Sequence, residues 1–263
     1  MSRISAAAIA LGMVAVCISF ANPQDIGLRD ALWIIVHDEC VPNELQNHAP
    51  KPCVQVNLRD GTEKGFAILK DIGSEAQFLL VPTARVPGIE SPVILTPDAP
   101  NYFADAWEAR RYIDEALHRT LPRDEIGLAI NSAPGRSQDQ LHIHVACVRS
   151  DVHEALREHE ASIGNRWAPL DVSFVGHHYQ AMWVAGERLG SHNPFRLLAE
   201  GFPGATRDMG DRTLVVIGSS RANGALGFDI LEDHVNRESH DLANGEELLD
   251  HACRIASDAQ SKN

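Results

Sequence analysis

The sequence predicts an α+β protein built on a mostly antiparallel sheet with flanking helices. Five short segments have the apolar or alternating pattern of strands and are bounded by turn residues. Between the third and fourth of them, residues 101–120 place apolar side chains at helical spacing. The chain has 263 residues, 44% of them hydrophobic, so it can bury one large core or two small ones. The predicted strands are residues 53–58, 66–69, 77–81, 126–130 and 140–148.

The remaining elements follow from the same signals. Residues 25–36 have amphipathic helical spacing that ends at 37–39, and residues 41–52 are predicted as a loop. The second half is predicted to contain helices at 152–162, 194–200 and 246–256, strands at 171–175, 180–185 and 213–217, and a loop at 218–227. We divide the chain into an N-terminal segment (1–21), a first half (22–160) and a second half (161–263). One possible arrangement is that the two halves are related and share one sheet.

The first 21 residues have the composition of a targeting segment. Arg3 and the amino terminus are followed by an uncharged run from Ile4 to Ala21. This run is at the short end of a membrane span, and it also fits a signal peptide cleaved after Ala21. The positive-inside rule places Arg3 in the cytoplasm and the rest of the chain in the periplasm.

The charge of the chain disfavours nucleic acid as a partner, because the formal net charge is −13 and no basic stripe is present. Only four lysines occur, so most of the positive charge is arginine, which either suits bidentate contacts with phosphate or reflects the base composition of the genome.

The cysteines are compatible with disulfides in an oxidising periplasm. Cys40 and Cys53 enclose a short proline-rich segment and are the predicted pair. Strand alternation points Cys147 away from His142 and His144, so Cys147 is predicted as a core residue and not as a catalytic one.

Residues 140–148 have the most unusual pattern in the chain. In a strand, the apolar residues at 141, 143 and 145 share one face, and Gln140, His142 and His144 share the other. Burying polar groups without partners costs about 1–3 kcal/mol each, so the second face is expected to meet solvent or a substrate. The alternative is a metal pair completed by His177 and His178, although no standard metal-ligand spacing supports it.

The surroundings of this strand resemble the histidine-triad (HIT) superfamily of nucleotide hydrolases and transferases. An apolar strand ends at Pro82, a helical segment follows, and a second strand ends at Asn131 before a loop with Gly135-Arg136-Ser137. Gln140 then stands at the position of the first histidine of the triad. The resemblance covers roughly residues 28–155. With the N-terminal segment and the second half, the chain is similar to the bacterial CDP-diacylglycerol pyrophosphatase family, which cleaves CDP-diacylglycerol to CMP and phosphatidate.

The resemblance implies a HIT-like fold and three catalytic positions. His142 matches the nucleophile of the family, which forms a nucleotidyl-histidine that water then resolves. His144 matches the third histidine and is expected to hydrogen-bond a phosphate oxygen. Gln140 cannot carry a proton, which leaves the role of general acid to His144, a substrate group or water.

Seven further residues are predicted to bind substrate. Asn131 and Ser137 match loop positions that contact the phosphate and the leaving group in the family, with turn chemistry as the alternative. Arg136 is expected to supply the positive charge that a metal would otherwise provide. Arg85 follows a strand end and is either a phosphate contact or a surface residue. The remaining three, which form either a plain turn or a recognition site for lipid phosphate or cytosine, are His177, His178 and Tyr179.

The resemblance also implies partners. We expect CDP-diacylglycerol as substrate, no obligate metal or other cofactor, and an uncleaved anchor in the bacterial inner membrane, because a lipid substrate makes that location useful. Family members often dimerise, so either a homodimer or a pair of halves within one chain is expected. Two other functions stay open, namely a metal-dependent phosphohydrolase of another nucleotide diphosphate and a non-catalytic periplasmic module that binds nucleotide or lipid.

Overall fold

The computed structural model describes residues 29–261. The predicted anchor at 1–21 and the first part of the predicted helix at 25–36 lie outside these residues. Within 29–261 there is no helix whose length and apolar character would let it span a bilayer.

The described residues form one ten-stranded sheet in which all paired strands are antiparallel. The strand order is β1-β2-β3-β5-β4-β8-β9-β7-β6, and β10 pairs with β5 outside this path. An α+β class with a large antiparallel sheet is thus confirmed. The strands are β1 (Gln55–Asn57), β2 (Phe66–Lys70), β3 (Phe78–Pro82), β4 (Ile126–Ile130), β5 (Ile143–Val148), β6 (Ala168–Phe174), β7 (His177–Ala185), β8 (Arg212–Ser220), β9 (Leu226–His234) and β10 (Leu249–Asp250).

The two halves of the chain contribute to this sheet with the same strand order. In the first half, the hairpin β2–β3 is followed by β4 and β5, and β5 pairs with β3. In the second half, the hairpin β6–β7 is followed by β8 and β9, and β9 pairs with β7. The halves meet where β4 pairs with β8, with Leu128 opposite Val216. One continuous sheet therefore extends through both halves.

Three apolar clusters cover the sheet. Leu128, Val145 and Val216 belong to the largest cluster on one face. The other face has two separate clusters, one that includes Ala129 and one that includes Leu79. Because both of these residues pair with His144, the histidine lies in a polar gap between the two clusters.

Eight short α-helices flank the sheet within the described residues. They are α1 (Ala31–Ile34), α2 (Val41–Asn47), α3 (Tyr102–Glu108), α4 (Arg111–Leu117), α5 (Ser150–Glu158), α6 (Pro194–Gly201), α7 (Ala205–Asp208) and α8 (Arg254–Ser261).

The first helical segment is longer than predicted. α1 continues through a π-helical turn (Ile35–Cys40) directly into α2, so the predicted end at 37–39 and the predicted loop from 41 are wrong. Pro42 lies in the first turn of α2, where its missing N–H does not interrupt the helix. The helix ends at His48, which adopts the left-handed conformation with φ of 51°.

The predicted helix at 101–120 is two helices, α3 and α4, with a break at Ala109–Arg110. The Asn101 side chain accepts a hydrogen bond from the N–H of Ala104 and so caps α3. At the other end, the Arg110 guanidinium donates to the Trp107 carbonyl at 2.7 Å and lies over its ring. This side-chain contact takes up a carbonyl that a continuing helix would use.

Two predictions in the second half are wrong. The loop predicted at 218–227 contains the end of β8 and the start of β9, a strand that the sequence analysis missed. The strand is obscured because it buries Asp229, which pairs with Arg221 at 2.8 Å, and Glu232, which pairs with Arg212.

The helix predicted at 246–256 is a 3₁₀ turn (Gly245–Leu248), then β10 and then α8. Pairing of Leu249 with Val148 draws this segment onto β5, and the Asp250 carboxylate accepts the N–H of Arg254 at the start of α8. Tertiary pairing thus overrides the helical spacing of the sequence.

Two disulfides connect the described cysteines. Cys40 is bonded to Cys53, as predicted, and this bond joins the π-helical turn to the chain before β1. Cys147 is bonded to Cys253, and this bond joins β5 to the segment before α8. Cys147 lies in the largest apolar cluster, on the face opposite His144, which agrees with its assignment to the core.

Candidate active site

His142 lies directly before β5 and His144 is its second residue, in the gap between the two apolar clusters. Each of them is only 6% exposed, so this face is buried and does not meet solvent as the alternation suggested. Their rings are 5.0 Å apart between centroids and nearly perpendicular. Buried imidazoles require hydrogen-bond partners, and the structure supplies different partners to each ring.

The ring of His142 is oriented by its own backbone. Its Nδ1 lies 2.7 Å from the carbonyl oxygen of Gln140. A carbonyl only accepts hydrogen bonds, so Nδ1 carries the proton of the neutral ring and the lone pair is on Nε2. Burial lowers the pKa of His142 below its ordinary value, which keeps this neutral form present at neutral pH.

The Gln140 side chain is fully buried and contacts the chain that follows β3. Its amide nitrogen donates to the carbonyl oxygens of Pro82 at 3.0 Å and Ala84 at 2.8 Å. Its amide oxygen accepts the N–H of Val86 at 3.2 Å. These bonds keep residues 140–142 out of the regular strand, so β5 begins at Ile143 and not at residue 140 as predicted. They also fix the carbonyl that orients His142. Gln140 is thus a positioning residue in this structure.

His144 is held from two sides at Nδ1. The Gln77 amide nitrogen lies 2.7 Å from this atom, and Oε1 of Glu246 lies 3.2 Å from it. Nε2 of His144 is buried and has no hydrogen-bond partner among the described residues. Burial is the main cause that lowers the pKa of His144, to about 3, so the ring is neutral and its contact with Glu246 is not an ion pair.

Glu246 is the only carboxylate that reaches His144 in the described part of the chain. Its Oε2 accepts a hydrogen bond from the Asn131 amide at 3.2 Å, and its Oε1 lies 3.1 Å from Nε2 of His251. Burial opposes the charge of Glu246, but the His251 contact, the nearby His144 and the Asn131 bond together lower its pKa to about 2. The hydrogen bond to Glu246 in turn raises the pKa of His251. The site therefore holds one partly buried negative charge beside two neutral imidazoles.

The residues predicted to contact phosphate differ in their burial and in their hydrogen-bond partners. Asn131 is buried in the site through its contacts with Glu246. The Arg136 guanidinium is largely buried but is already paired with both carboxylate oxygens of Glu90, at 2.6 and 2.7 Å. Ser137 is exposed in the loop. Arg85 pairs with Asp30 at the N-terminal helix and is partly exposed, which fits the surface assignment.

The predicted cluster at the start of β7 is separate from this site. His177 contacts Glu247 at 2.6 Å, the Tyr179 hydroxyl donates to the same Glu247 oxygen at 3.2 Å, and His178 is exposed. In the described residues, the four histidines of the alternative metal site do not come together in one ligand group. The prediction of a simple turn is also incomplete, because His177 and Tyr179 belong to β7 itself.

Three members of the site, Gln77, Glu246 and His251, are not among the residues that the sequence predicts for it. Gln77 precedes β3 as one polar residue before an apolar run. Glu246 and His251 come from a segment about 100 residues beyond His144. The spacing of apolar residues there predicts a helix, whereas the segment forms a 3₁₀ turn and a short strand. The sequence offers only one weak signal for them, a glycine followed by two glutamates in an otherwise ordinary region.

A groove of 970 Å³ begins close to this site. Its wall includes Ala84 and Val86, the backbone partners of Gln140, and also Trp33 on the N-terminal helix. Arg85 lies along it, and Val93 and Ile94 contribute apolar surface. The groove therefore connects the end of β3 with the first described helix.

Fold and site together define an α+β protein with a buried pair of neutral imidazoles, one of them with its lone pair on Nε2 and the other held beside a carboxylate. Residues 27–257 match the CDP-diacylglycerol pyrophosphatase family. A CDP-diacylglycerol pyrophosphatase of Yersinia pestis is 40% identical over 226 residues, which are 86% of this chain and 84% of that protein. The chain belongs to the CDP-diacylglycerol pyrophosphatase family, whose description makes it a hydrolase of a pyrophosphate bond.

Proposed function

We propose that this protein hydrolyses CDP-diacylglycerol to CMP and phosphatidate through a nucleotidyl-histidine intermediate on His142. Family membership supports the overall reaction. The observation that supports the intermediate is the bond of His142 Nδ1 to the Gln140 carbonyl, because it leaves a lone pair on Nε2 of a neutral ring.

The first step joins Nε2 of His142 to the phosphorus of the cytidylyl group and breaks the bridging P–O bond. Phosphatidate leaves with the electron pair of that bond. In the second step, water attacks the same phosphorus, the P–N bond breaks, and CMP leaves while the proton of the water passes to the ring or to solvent. Atoms and charge balance without a metal or another co-reactant.

A glutamine at the first triad position is compatible with this chemistry. The leaving group is a phosphate monoester, which is a weak base and requires little proton donation on departure. Gln140 instead fixes the chain before β5 through three backbone contacts. Its part in the reaction is to hold the carbonyl that sets the tautomer of His142.

His144 and the groups around it bind the phosphate in this proposal. When the Gln77 amide donates to Nδ1, the proton of neutral His144 lies on Nε2, the buried atom without a partner among the described residues. That N–H is suited to donate to a phosphate oxygen as negative charge develops. Glu246 stabilises any positive charge that His144 acquires, and His251, with its raised pKa, is a proton donor at the exposed side of the site.

The loop residues have supporting parts. Asn131 holds Glu246 in place and lies next to the phosphate position, so its role combines contact and positioning. Arg136 reaches a phosphate by exchanging its pair with Glu90, and exposed Ser137 is free to approach the leaving group. The cluster of His177, His178 and Tyr179 is not part of this step.

The groove beside Gln140 is the proposed site for the diacylglycerol portion. Its wall contains Ala84 and Val86, whose backbones contact Gln140, and its apolar residues, Val93 and Ile94, suit acyl chains. Trp33 places its wall on the first described helix, close to residues 1–21 in the chain. We propose that those residues anchor the protein in the inner membrane with the site on the periplasmic side, where lipid enters the groove directly.

Turnover of CDP-diacylglycerol by the purified protein, with and without EDTA, tests this function. Release of CMP that resists EDTA, together with acid-labile label trapped on the protein from substrate labelled in the cytidylyl phosphate, is the expected result. Turnover that requires an added divalent ion would favour the metal-dependent phosphohydrolase. Binding without any turnover would favour the non-catalytic module and remove the proposal.

A further inference from the structure

A second polar centre lies on the same face of the sheet as the two histidines. It brings together His177 at the start of β7, Asp233 near the end of β9 and Asp241 from the following loop. One ligand atom from each of these residues lies within 4.8 Å of the others. The strand register aligns Asp233 on β9 with the position of His142, across the two intervening strands β8 and β4. Three strand spacings therefore separate the two centres, which is a distance of about 14 Å.

Three carboxylates surround one imidazole in this centre. Asp233 and Asp241 are 6% and 5% exposed, and Glu247 lies 2.6 Å from the His177 ring. Buried carboxylates require a counter-charge, a shared proton or a metal ion.

One carboxylate oxygen is directed into the centre without a partner. Oδ1 of Asp233 accepts the N–H of His234 at 2.7 Å. Oδ2 of Asp233 is buried and, within residues 29–261, has no hydrogen-bond partner. An unpartnered carboxylate oxygen beside a second carboxylate and an imidazole is the donor set of a metal site, and such groups are rarely left unpaired in a folded protein.

We infer that His177, Asp233 and Asp241 bind a divalent transition-metal ion, with Zn²⁺ as the ion best suited to them. One imidazole nitrogen and two carboxylate oxygens match the mixed ligands of zinc, whereas Mg²⁺ and Ca²⁺ prefer oxygen ligands alone. Around a tetrahedral ion with bonds of about 2.1 Å, the ligand atoms lie about 3.4 Å apart, so small side-chain rotations close the site. Glu247 contacts Nδ1 of His177 at 2.6 Å, the nitrogen that also lies 3.5 Å from Oδ1 of Asp241, so Glu247 borders the site and positions the His177 ring.

The ion has a structural role for the catalytic site. Asp241 and Glu247 flank the segment that carries Glu246, the carboxylate beside His144. The same segment is bonded to the catalytic loop, because Ser132 donates its N–H to the Ala243 carbonyl at 3.2 Å. Binding of an ion ties this segment to β7 and β9 and so restricts Glu246. No chemical step passes through the ion, and this inference does not depend on the proposed reaction.

Calorimetric titration of the full, untagged chain with Zn²⁺ after treatment with a chelator tests the inference. One saturable site per chain is expected, with a rise in melting temperature that Mg²⁺ does not reproduce. Asp233→Asn is expected to abolish the site, and Glu247→Gln to weaken it by about 10-fold or more, as for other supporting partners of a metal ligand. His178→Gln, on the exposed neighbour of His177, is the matched control and keeps the site.

Folding of each variant is checked by its melting temperature without metal. Asp233→Asn keeps the shape of the side chain and donates to Asp241, so it is expected to fold, and Asp241→Asn serves as the second variant. The inference is overturned if wild type and Asp233→Asn bind Zn²⁺ equally, or if the wild type has no saturable site. In either case, a proton shared between Asp233 and Asp241 replaces the metal ion as the explanation of the centre. Neither result bears on turnover by His142.

Discussion

Asn131 and Glu246 exchange two hydrogen bonds across 115 residues of sequence. The Asn131 amide nitrogen donates to Oε2 of Glu246 at 3.2 Å, and the backbone N–H of Glu246 donates to Oδ1 of Asn131 at 3.1 Å. This reciprocal pair connects the end of β4 to the 3₁₀ turn of the second half. With the contacts of Glu246 to Gln77 and His251, it holds Glu246 beside His144, so the site is assembled from both halves of the chain.

Asn131→Asp is expected to lower turnover and stability together. The substitution replaces the donor that faces Glu246 with a second carboxylate oxygen, and the two negative charges repel each other in a buried setting. Loss of the donor costs about 1–3 kcal/mol in the free energy of unfolding, measured by urea denaturation. Asn223→Asp is the matched control, because exposed Asn223 uses its side-chain oxygen as an acceptor for Ala225. An Asn131→Asp variant as active as the control would contradict the positioning role.

His142→Ala is expected to abolish hydrolysis of CDP-diacylglycerol while the melting temperature stays close to that of wild type. The reason is the loss of the Nε2 lone pair that attacks phosphorus. His142→Gly is expected to regain part of the turnover when imidazole is added, since the free ring replaces the missing nucleophile. His178→Ala is the control and keeps full turnover, because its side chain is exposed and outside the site. Wild-type turnover by His142→Ala would remove the nucleophile assignment.

The fold is expected to lose stability in acid through His144 and Glu246. The pKa of His144 is 6.5 unfolded and about 3 folded, so between these values only the unfolded chain binds the proton and stability falls as the pH falls. The pKa of Glu246 is 4.5 in the unfolded chain and about 2 in the folded protein. Below pH 4.5 this group therefore lowers the free energy of unfolding further as the pH falls. The free energy of unfolding measured at several pH values checks this.

His144→Gln is expected to flatten the part of that curve between pH 6.5 and 4.5. His178→Gln, which changes an exposed ring, is expected to leave the curve unchanged. An unaltered slope in His144→Gln would show that the buried imidazole does not cause the acid sensitivity.

Glu246→Gln is expected to lower the pKa of His251, because the hydrogen bond to the carboxylate is the main cause that raises it. If His251 donates the proton, activity falls as the pH rises through its pKa, so the alkaline limb of the rate profile moves to lower pH in this variant. NMR titration of the His251 ring measures the pKa directly. Glu238→Gln, in the exposed loop, is the control and should alter neither quantity. A lowered pKa with an unmoved alkaline limb would exclude His251 as the proton donor.

The local pattern of the sequence predicts the first half well where short-range rules decide the structure. β2, β3 and β4 follow from apolar runs with turn residues at their ends, and the pairing of Cys40 with Cys53 follows from their short spacing. His142 and His144 are found because two imidazoles in alternation with apolar residues contradict an ordinary core.

The same rules fail where distant contacts outweigh local preference. β9 is not predicted because it contains two acidic residues that a buried strand normally lacks. Their ion pairs with Arg212 and Arg221 form across the sheet and cannot be inferred from one segment of sequence. The last predicted helix is converted to a 3₁₀ turn and a strand because β10 pairs with β5 and Cys253 is bonded to Cys147.

The sequence by itself determined the α+β class and the histidine pair, because alternation and periodicity depend only on neighbours along the chain. Only the tertiary structure decided the surroundings of those histidines. Gln77 and Glu246 reach His144 from 67 and 102 residues away, and Gln140 is turned to the backbone at 82–86 and away from any solvent. A neutral, oriented imidazole requires burial and fixed partners, and both are properties of the folded sheet that no short segment possesses.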